Sequence, residues 1–282
     1  MSDEKRRRSG FFVWLVFLGL LGFLGYTLWT KHPEKLQAIW AKITGQPTAA
    51  QGGGTGVVAT GEAFDKMRAE EAAAGKALEE AGVLVVLERV FEDGGLVGDD
   101  SEDVDRIVAT VNFKQADAPP ELLAHVSKLF RIKTLNLDNT DLDSERMSYI
   151  EPLKSMISLV ISNTDVSDDG LKHIAGMKNM SSLLMAGTDI TDAGLPHLSN
   201  MKDLKILDLS RTKITDEGLK HLVVLEGVNH LLLCDCTQLT EAGLMEVAKM
   251  KGVLRLSLQG VGLDKQAISR IGAAKPSMFI DR

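Results

Sequence analysis

Aromatic residues supply only 5% of this 282-residue chain, and it has only 2 cysteines and 7 prolines. The two cysteines, Cys234 and Cys236, lie two positions apart, so they offer no disulfide framework. A Cys-x-Cys disulfide would be strained and a metal clip would need further ligands, which leaves inert packing as the favoured role. Few aromatics fit a core of stacked aliphatic side chains. Basic charge is not in excess either: 32 Lys and Arg stand against 39 Asp and Glu, a net charge of −7. Residues 1–61 hold 7 basic and 3 acidic residues, leaving 25 basic and 36 acidic in residues 62–282, a net charge of −11. Net charge of that sign predicts repulsion of nucleic acid and of anionic lipid, so no nucleic-acid partner is expected. Catalytic signatures are missing as well. There is no GxSxG, P-loop, HExxH or paired Cys-x-x-Cys, and the chain is read as a non-enzyme without cofactor or metal.

What the chain does have is a repeat of 24 residues. Ile132 to Met147, Met156 to Leu171, Met180 to Leu195, Leu204 to Leu219 and Val228 to Leu244 fall on one template. Apolar residues take its first, fourth and sixth places and Thr or Cys its ninth; an aliphatic follows two places on, then a Thr-Asp-x-Gly-Leu turn, as in ITDEGL at 214–219. A fixed period of this length is a solenoid signature. In the run LKILDLS, Leu204, Leu207 and Leu209 point to one side and Ile206, Asp208 and Ser210 to the other, which predicts a short strand. Thr215 is placed as a helix N-cap, with Asp216 and Glu217 in the first turn, and Leu219 and Leu222 return to the core. Asp168, Asp192, Asp216 and Glu241 are accounted for as such helix-start charges. Gly170, Gly194, Gly218 and Gly243 fall in that turn, where a missing side chain allows adjacent coils to approach.

LKILDLSRTKITDEGLKHL resembles the cysteine-containing, F-box-associated subclass of leucine-rich repeats, and LLLCDCTQLTEAGL, with its one-residue insertion and Cys236, is the best single match. The layout is also similar to that of membrane-anchored bacterial leucine-rich-repeat proteins. The resemblance covers about Val108 to Ile271. It implies an α/β solenoid with a concave parallel sheet, outer helices and a role in protein recognition. No F-box lies upstream, so an adaptor role in ubiquitin ligation does not carry over. The repeat at Val108, Val111 and Phe113 departs from the pattern, with Pro119 and Pro120 where the Thr-Asp turn should be.

The N-terminal part has a different character. A basic tail (1–10, with Lys5, Arg6, Arg7 and Arg8) precedes Phe11–Trp29, 19 uncharged residues, long enough for one transmembrane helix, with Trp14, Tyr26 and Trp29 near its ends. The stretch is too long for a signal-peptide core and runs into Leu28, Trp29, Thr30 and Lys31 without a small-x-small cleavage site, so an uncleaved anchor is expected. The charge bias leans toward a cytoplasmic N-terminus, an inner-membrane location and an extracytoplasmic solenoid. Residues 30–61 form a juxtamembrane segment and Gly-rich linker with a reach of roughly 20–25 Å. Residues 62–107 supply a capping helix, a capping strand at Val83–Phe91 and an acidic loop at Asp99–Asp105, 108–271 the solenoid, and 272–282 a C-terminal cap.

The expected binding surface is the concave sheet, reached by the outward strand positions: Val160, Leu184, Ala186, Ile206 and Leu232 as an apolar centre, with Asn136, Asp138, Asp208, His230 and Arg255 around it. The expected partner is a protein or peptide. A structural envelope component acting by self-association or by holding cell-wall polymer is the alternative. His173, His197 and His221 recur one repeat apart and form a column that repeat duplication explains without a ligand.

Overall fold

A computed structural model of the chain describes residues 61–90, 105–113 and 117–282. The basic tail, the candidate span Phe11–Trp29, the linker to residue 60 and the acidic stretch before Asp105 lie outside the described residues. Gly61–Arg282 is one structural unit. Among the described residues no helix is long and apolar enough to cross a membrane.

The unit is organised by a 9-stranded sheet whose strands lie side by side in chain order. It opens with helix α1 (Gly61–Glu80), strand β1 (Leu84–Val90) and β2 (Asp105–Asn112), followed by α2 (Pro120–Val126) and β3 (Thr134–Asn136). Then come β4 (Ser158–Val160), α3 (Asp168–Ile174), β5 (Ser182–Leu184), β6 (Ile206–Asp208), α4 (Asp216–Leu222) and β7 (His230–Leu232). It closes with α5 (Glu241–Lys249), β8 (Arg255–Ser257), α6 (Lys265–Ala274) and β9 (Phe279–Asp281). From β2 onward every neighbour pair is parallel, and Leu135, Leu159, Leu183, Leu207, Leu231 and Leu256 stand in register as the central core column. All six are completely buried. This is the strand register that the 24-residue alternation predicts.

Two ladders of polar side chains run along the solenoid, the threonines of the first bonded within each coil and the second bonded between coils. At the ninth template place Thr140, Thr164, Thr188 and Thr212 are buried, and each hydroxyl donates to the carbonyl three residues back, at 2.6–2.8 Å. Cys236 takes the same place, fully buried, and its thiol donates to Leu209 O at 3.1 Å; burial pushes the thiol pKa up, so it packs rather than reacts.

The second ladder revises the role expected for the helix-start carboxylates. Asp168, Asp192 and Asp216 each reach the next coil, where they accept from the backbone N–H of Thr191, Thr215 and Thr240 (2.8–2.9 Å) and from the same residue's hydroxyl (2.5–2.6 Å). Gly194, Gly218 and Gly243 face these carboxylates so closely that a Cβ on any of them would collide with the aspartate. The Thr-Asp-x-Gly turn is thus a clasp between coils. Thr215 also caps its own helix, accepting from Glu217 N–H at 3.2 Å.

Not every outer segment is an α-helix. Arg146–Tyr149 and Leu195–Leu198 are single 3-10 turns, the second with Pro196 near its start, where a proline costs no helical hydrogen bond.

Both ends are closed by the chain itself. β1 runs antiparallel to β2, and α1 covers the first coil with Ala74 and Leu78 buried. Glu71, 2% exposed, ties α1 to the solenoid through Arg131, accepting from Nη2 at 2.6 Å and Nε at 2.8 Å. Pro119 and Pro120 start α2, because proline suits the first helical position. At the other end α6 runs on to Ala274, and β9 adds a further parallel strand within the expected C-terminal cap, residues 272–282.

Candidate functional site: the concave sheet face

Since each strand buries its central leucine, the residues on either side of it form two rows across the concave face. One row reads Thr134, Ser158, Ser182, Ile206, His230 and Arg255; the other reads Asn136, Val160, Leu184, Asp208, Leu232 and Ser257. The expected site residues Asn136, Asp138, Val160, Leu184, Ile206, Asp208, His230 and Leu232 are partly exposed, and Arg255 is exposed. Ala186 departs from the expectation. It is only 6% exposed, and Ser162 and Ser210 at the same place in the neighbouring coils are buried as well. Ser162 Oγ accepts from Ala186 N–H at 3.2 Å, so in these coils the third outward place serves coil stacking, whereas Asp138 at the same place stays partly exposed.

The register also redraws the apolar centre. Val160 pairs directly with Leu184, and Ile206 lies beside Ser182 in the other row, diagonal to Leu184. Asp208 is not at the rim: it stands between Leu184 and Leu232. Its Oδ1 accepts from Ser210 N–H at 2.9 Å, as Asn136 Oδ1 accepts from Asp138 N–H at 2.8 Å. The face is therefore apolar steps broken by one carboxylate. His230 sits between Ile206 and Arg255, and burial, then the Arg255 charge, push its pKa down against the opposing pull of Asp208 and Asp281. His230 is thus held toward its neutral form, able to donate and accept.

Three features of the face were not legible in the repeat. First, it extends onto both caps: Leu84 and Val86 of β1 lie beside Asn112 and Thr110, and Phe279 of β9 lies beside Arg255. Leu84, Val86 and Phe279 are all exposed, and the Arg255 guanidinium lies 5.4 Å from the Phe279 ring centroid. Second, each coil from β3 to β8 leaves its strand through one residue with a left-handed backbone: Asn139, Asn163, Gly187, Arg211, Asp235 and Gly260, with φ between 53° and 76°. Each of the first five donates its N–H to the next coil. The mixed residue types hide this column from pattern reading. Third, Gly187 lets Arg211 reach two coils back to Asn163 Oδ1 (2.9 Å), while Asn163 Nδ2 donates to Asp138 Oδ1 (2.9 Å). These three side chains form a polar border along one margin of the sheet.

The histidine column stays on the outer side. His173 bonds Glu151 of the preceding coil at 3.0 Å, and that bond holds the Glu151 carboxyl below its usual range. Among the described residues no group of three or more His, Cys, Asp or Glu side chains could hold a metal ion.

Solved structures are similar to part of this chain. An internalin (inlF) of Listeria monocytogenes superposes with a TM-score of 0.49 at 16% identity, covering 61% of this chain and 52% of that one. The unit's own 24-residue period and parallel sheet are those of a leucine-rich-repeat solenoid. Internalin C2 of the same organism gives a TM-score of 0.45 at 17% identity over 61% of this chain and 84% of that one. A leucine-rich-repeat protein of Leptospira interrogans gives 0.43 at 22% identity, over 56% and 45%. The chain thus spans about half the length of inlF. No family model and no curated relative matches the sequence.

Proposed function

We propose that this leucine-rich-repeat module binds a protein or peptide through its concave sheet, and that Phe11–Trp29 anchors it in the cytoplasmic membrane with the solenoid on the extracytoplasmic side. The observation that carries the binding role is the set Val160, Leu184, Ile206 and Leu232: large aliphatics left partly exposed among strands β3–β8, whose other outward positions are small or polar. Aliphatics at such places add nothing to the core, which the central leucines already fill, whereas an apolar centre with polar surroundings is the composition of an interface. Cys236 at the buried threonine place supports assignment to the cysteine-containing repeat subclass.

The test compares Leu184→Glu with Leu183→Glu. Leu183 is completely buried and Leu184 is not, so the first variant should fold and lose its partner while the second unfolds. A folded Leu184→Glu protein that keeps the same partners would exclude the concave centre. Concentration-dependent self-association in place of a saturable complex would favour the envelope-scaffold reading.

A further inference from the structure

The net charge of the unit conceals a segregation that the fold imposes. All parallel strands start on one edge of the solenoid and end on the other. The segments that lead into the strands (127–133, 151–157, 175–181, 199–205, 223–229, 250–254 and 275–278) carry nine basic and three acidic residues. The segments that lead out of them (137–145, 161–169, 185–193, 209–217, 233–242 and 258–264) carry fourteen acidic and two basic. On the strand-start edge Lys154, Lys178, Lys202, Lys251 and Lys275 stack one per coil, interrupted by Glu226, which pairs with Lys251 at 2.9 Å. A hydrogen-bonded row beside them runs Lys133, Ile157, Ser181, Lys205, Asn229, Leu254.

Two further observations single out this edge. Ile157, Val224 and Leu254 are 43%, 47% and 56% exposed among the lysines, and Lys202 Nζ donates to Val224 O at 3.2 Å. In addition, the chain joins the unit here. β1 begins opposite Asn112, at the strand-end edge, directly after the C-terminus of α1. Glu71, midway along α1, accepts from Arg131 N–H at the strand-start edge (3.3 Å), so Gly61 lies toward or beyond that edge. The residue that continues into the linker and the uncharged Phe11–Trp29 segment is therefore on the lysine side.

We propose that the strand-start edge is a docking surface for an anionic lipid bilayer, setting the solenoid on its edge with the acidic edge away from the lipid and the concave sheet open sideways to its partner. The proposal rests on the membrane-anchored reading. Lysines interspersed with exposed aliphatics match a headgroup layer over an acyl boundary, the lysines meeting anionic headgroups while the aliphatics enter the interface. The acidic edge is at least a strand length away, about 10 Å for three residues, beyond a Debye length of about 8 Å at physiological salt, so its repulsion is screened. Nucleic acid fits less well, because strand platforms for it use aromatic stacking and this edge offers Phe130 alone.

The test is amine-labelling of the full chain with vesicles of phosphatidylcholine and of an equimolar phosphatidylcholine–phosphatidylglycerol mixture, read lysine by lysine by mass spectrometry. In the anionic vesicles labelling of Lys154, Lys178 and Lys202 should slow about fivefold or more and recover at high salt, the scale of one lysine at an anionic surface. Lys172, Lys213 and Lys220, exposed elsewhere, should be unchanged. Lys154→Glu/Lys178→Glu/Lys202→Glu should abolish the protection, read at Lys133 and Lys205, whereas Lys172→Glu/Lys213→Glu/Lys220→Glu should not. Equal labelling in both vesicle types overturns the proposal, and so does equal protection by heparin without lipid, which would make the edge a general polyanion site. The anchor is read separately, by co-sedimentation with the phosphatidylcholine vesicles, so a failed anchor and a failed docking edge give different results.

Discussion

Replacing Gly218 with alanine puts the clasp between coils under direct test. In a helix whose surroundings accept a methyl group, this change stabilises by about 0.4–1 kcal/mol by restricting the unfolded chain. Here a Cβ would run into the Asp192 carboxylate, with Asp192 Cγ at 2.9 Å and Leu195 Cδ1 at 3.0 Å. The carboxylate cannot withdraw without releasing Thr215 N–H at 2.8 Å and the Thr215 hydroxyl at 2.6 Å. Hydrogen bonds to a charged group contribute about 1.5–3 kcal/mol each, so loss of most of the pair costs about 2–5 kcal/mol and outweighs the gain. The net expectation is a destabilisation of about 1–4 kcal/mol, measured by urea unfolding of the full chain followed by circular dichroism. In an Asp192→Ala background the carboxylate is gone and only the flexible end of Leu195 has to shift, so the same Gly218→Ala change should cost little or nothing, a coupling of about 2 kcal/mol or more. Stabilisation in the unmodified protein, or an equal cost in both backgrounds, would refute the clasp as the reason for glycine.

Other expectations follow from the core, the cap and the charge pairs. Leu207→Ala should cost about 2–5 kcal/mol through lost burial and a cavity, whereas Lys205→Ala, exposed just before the strand, should cost little in the same unfolding assay. Glu71→Ala should release the capping helix, seen by hydrogen exchange as lost amide protection in α1 while β4–β7 stay protected. Arg146, through its side-chain bond to Asp141 and its backbone bond to Asp143, holds both carboxyls below their usual range. Depressed folded-state values give stability that is fully present above the unfolded carboxylate range, near pH 4, and lost as pH falls through the folded values. Arg146→Met removes the side-chain bond but keeps the backbone one, so it should flatten the part of the acid-side loss that comes from Asp141 in unfolding midpoints recorded as a function of pH.

The parts of the fold legible in the sequence are those set by local periodicity. Leu159, Leu183, Leu207 and Leu231 share one template place, so their stacked register follows from the repeat. The outward positions next to them were equally readable, because a strand sends alternate side chains to opposite faces. Ala186 escapes the pattern because alternation stops where the strand does, and in its coil the turn carries the next outward position into the coil stack. The role of Asp192 was hidden for another reason: a helix-start carboxylate satisfies the dipole rule alone, and only the neighbouring coil shows its second set of donors. β9 and the capping ends of the concave face rest on pairings with residues far from the pattern. Charge segregation escaped a net-charge count because it is a property of edges, which exist only once the strands are parallel.

The central claim is that the concave sheet is the recognition face, and site-specific photo-crosslinking in native membranes tests it most directly. A photoreactive side chain at Leu184 or Leu232 on the concave face should give one discrete, saturable adduct, whereas the same group at Lys172 or Lys220 on the exposed helices should give none. The same adduct from the helix positions, with none from Leu184 or Leu232, would contradict the account.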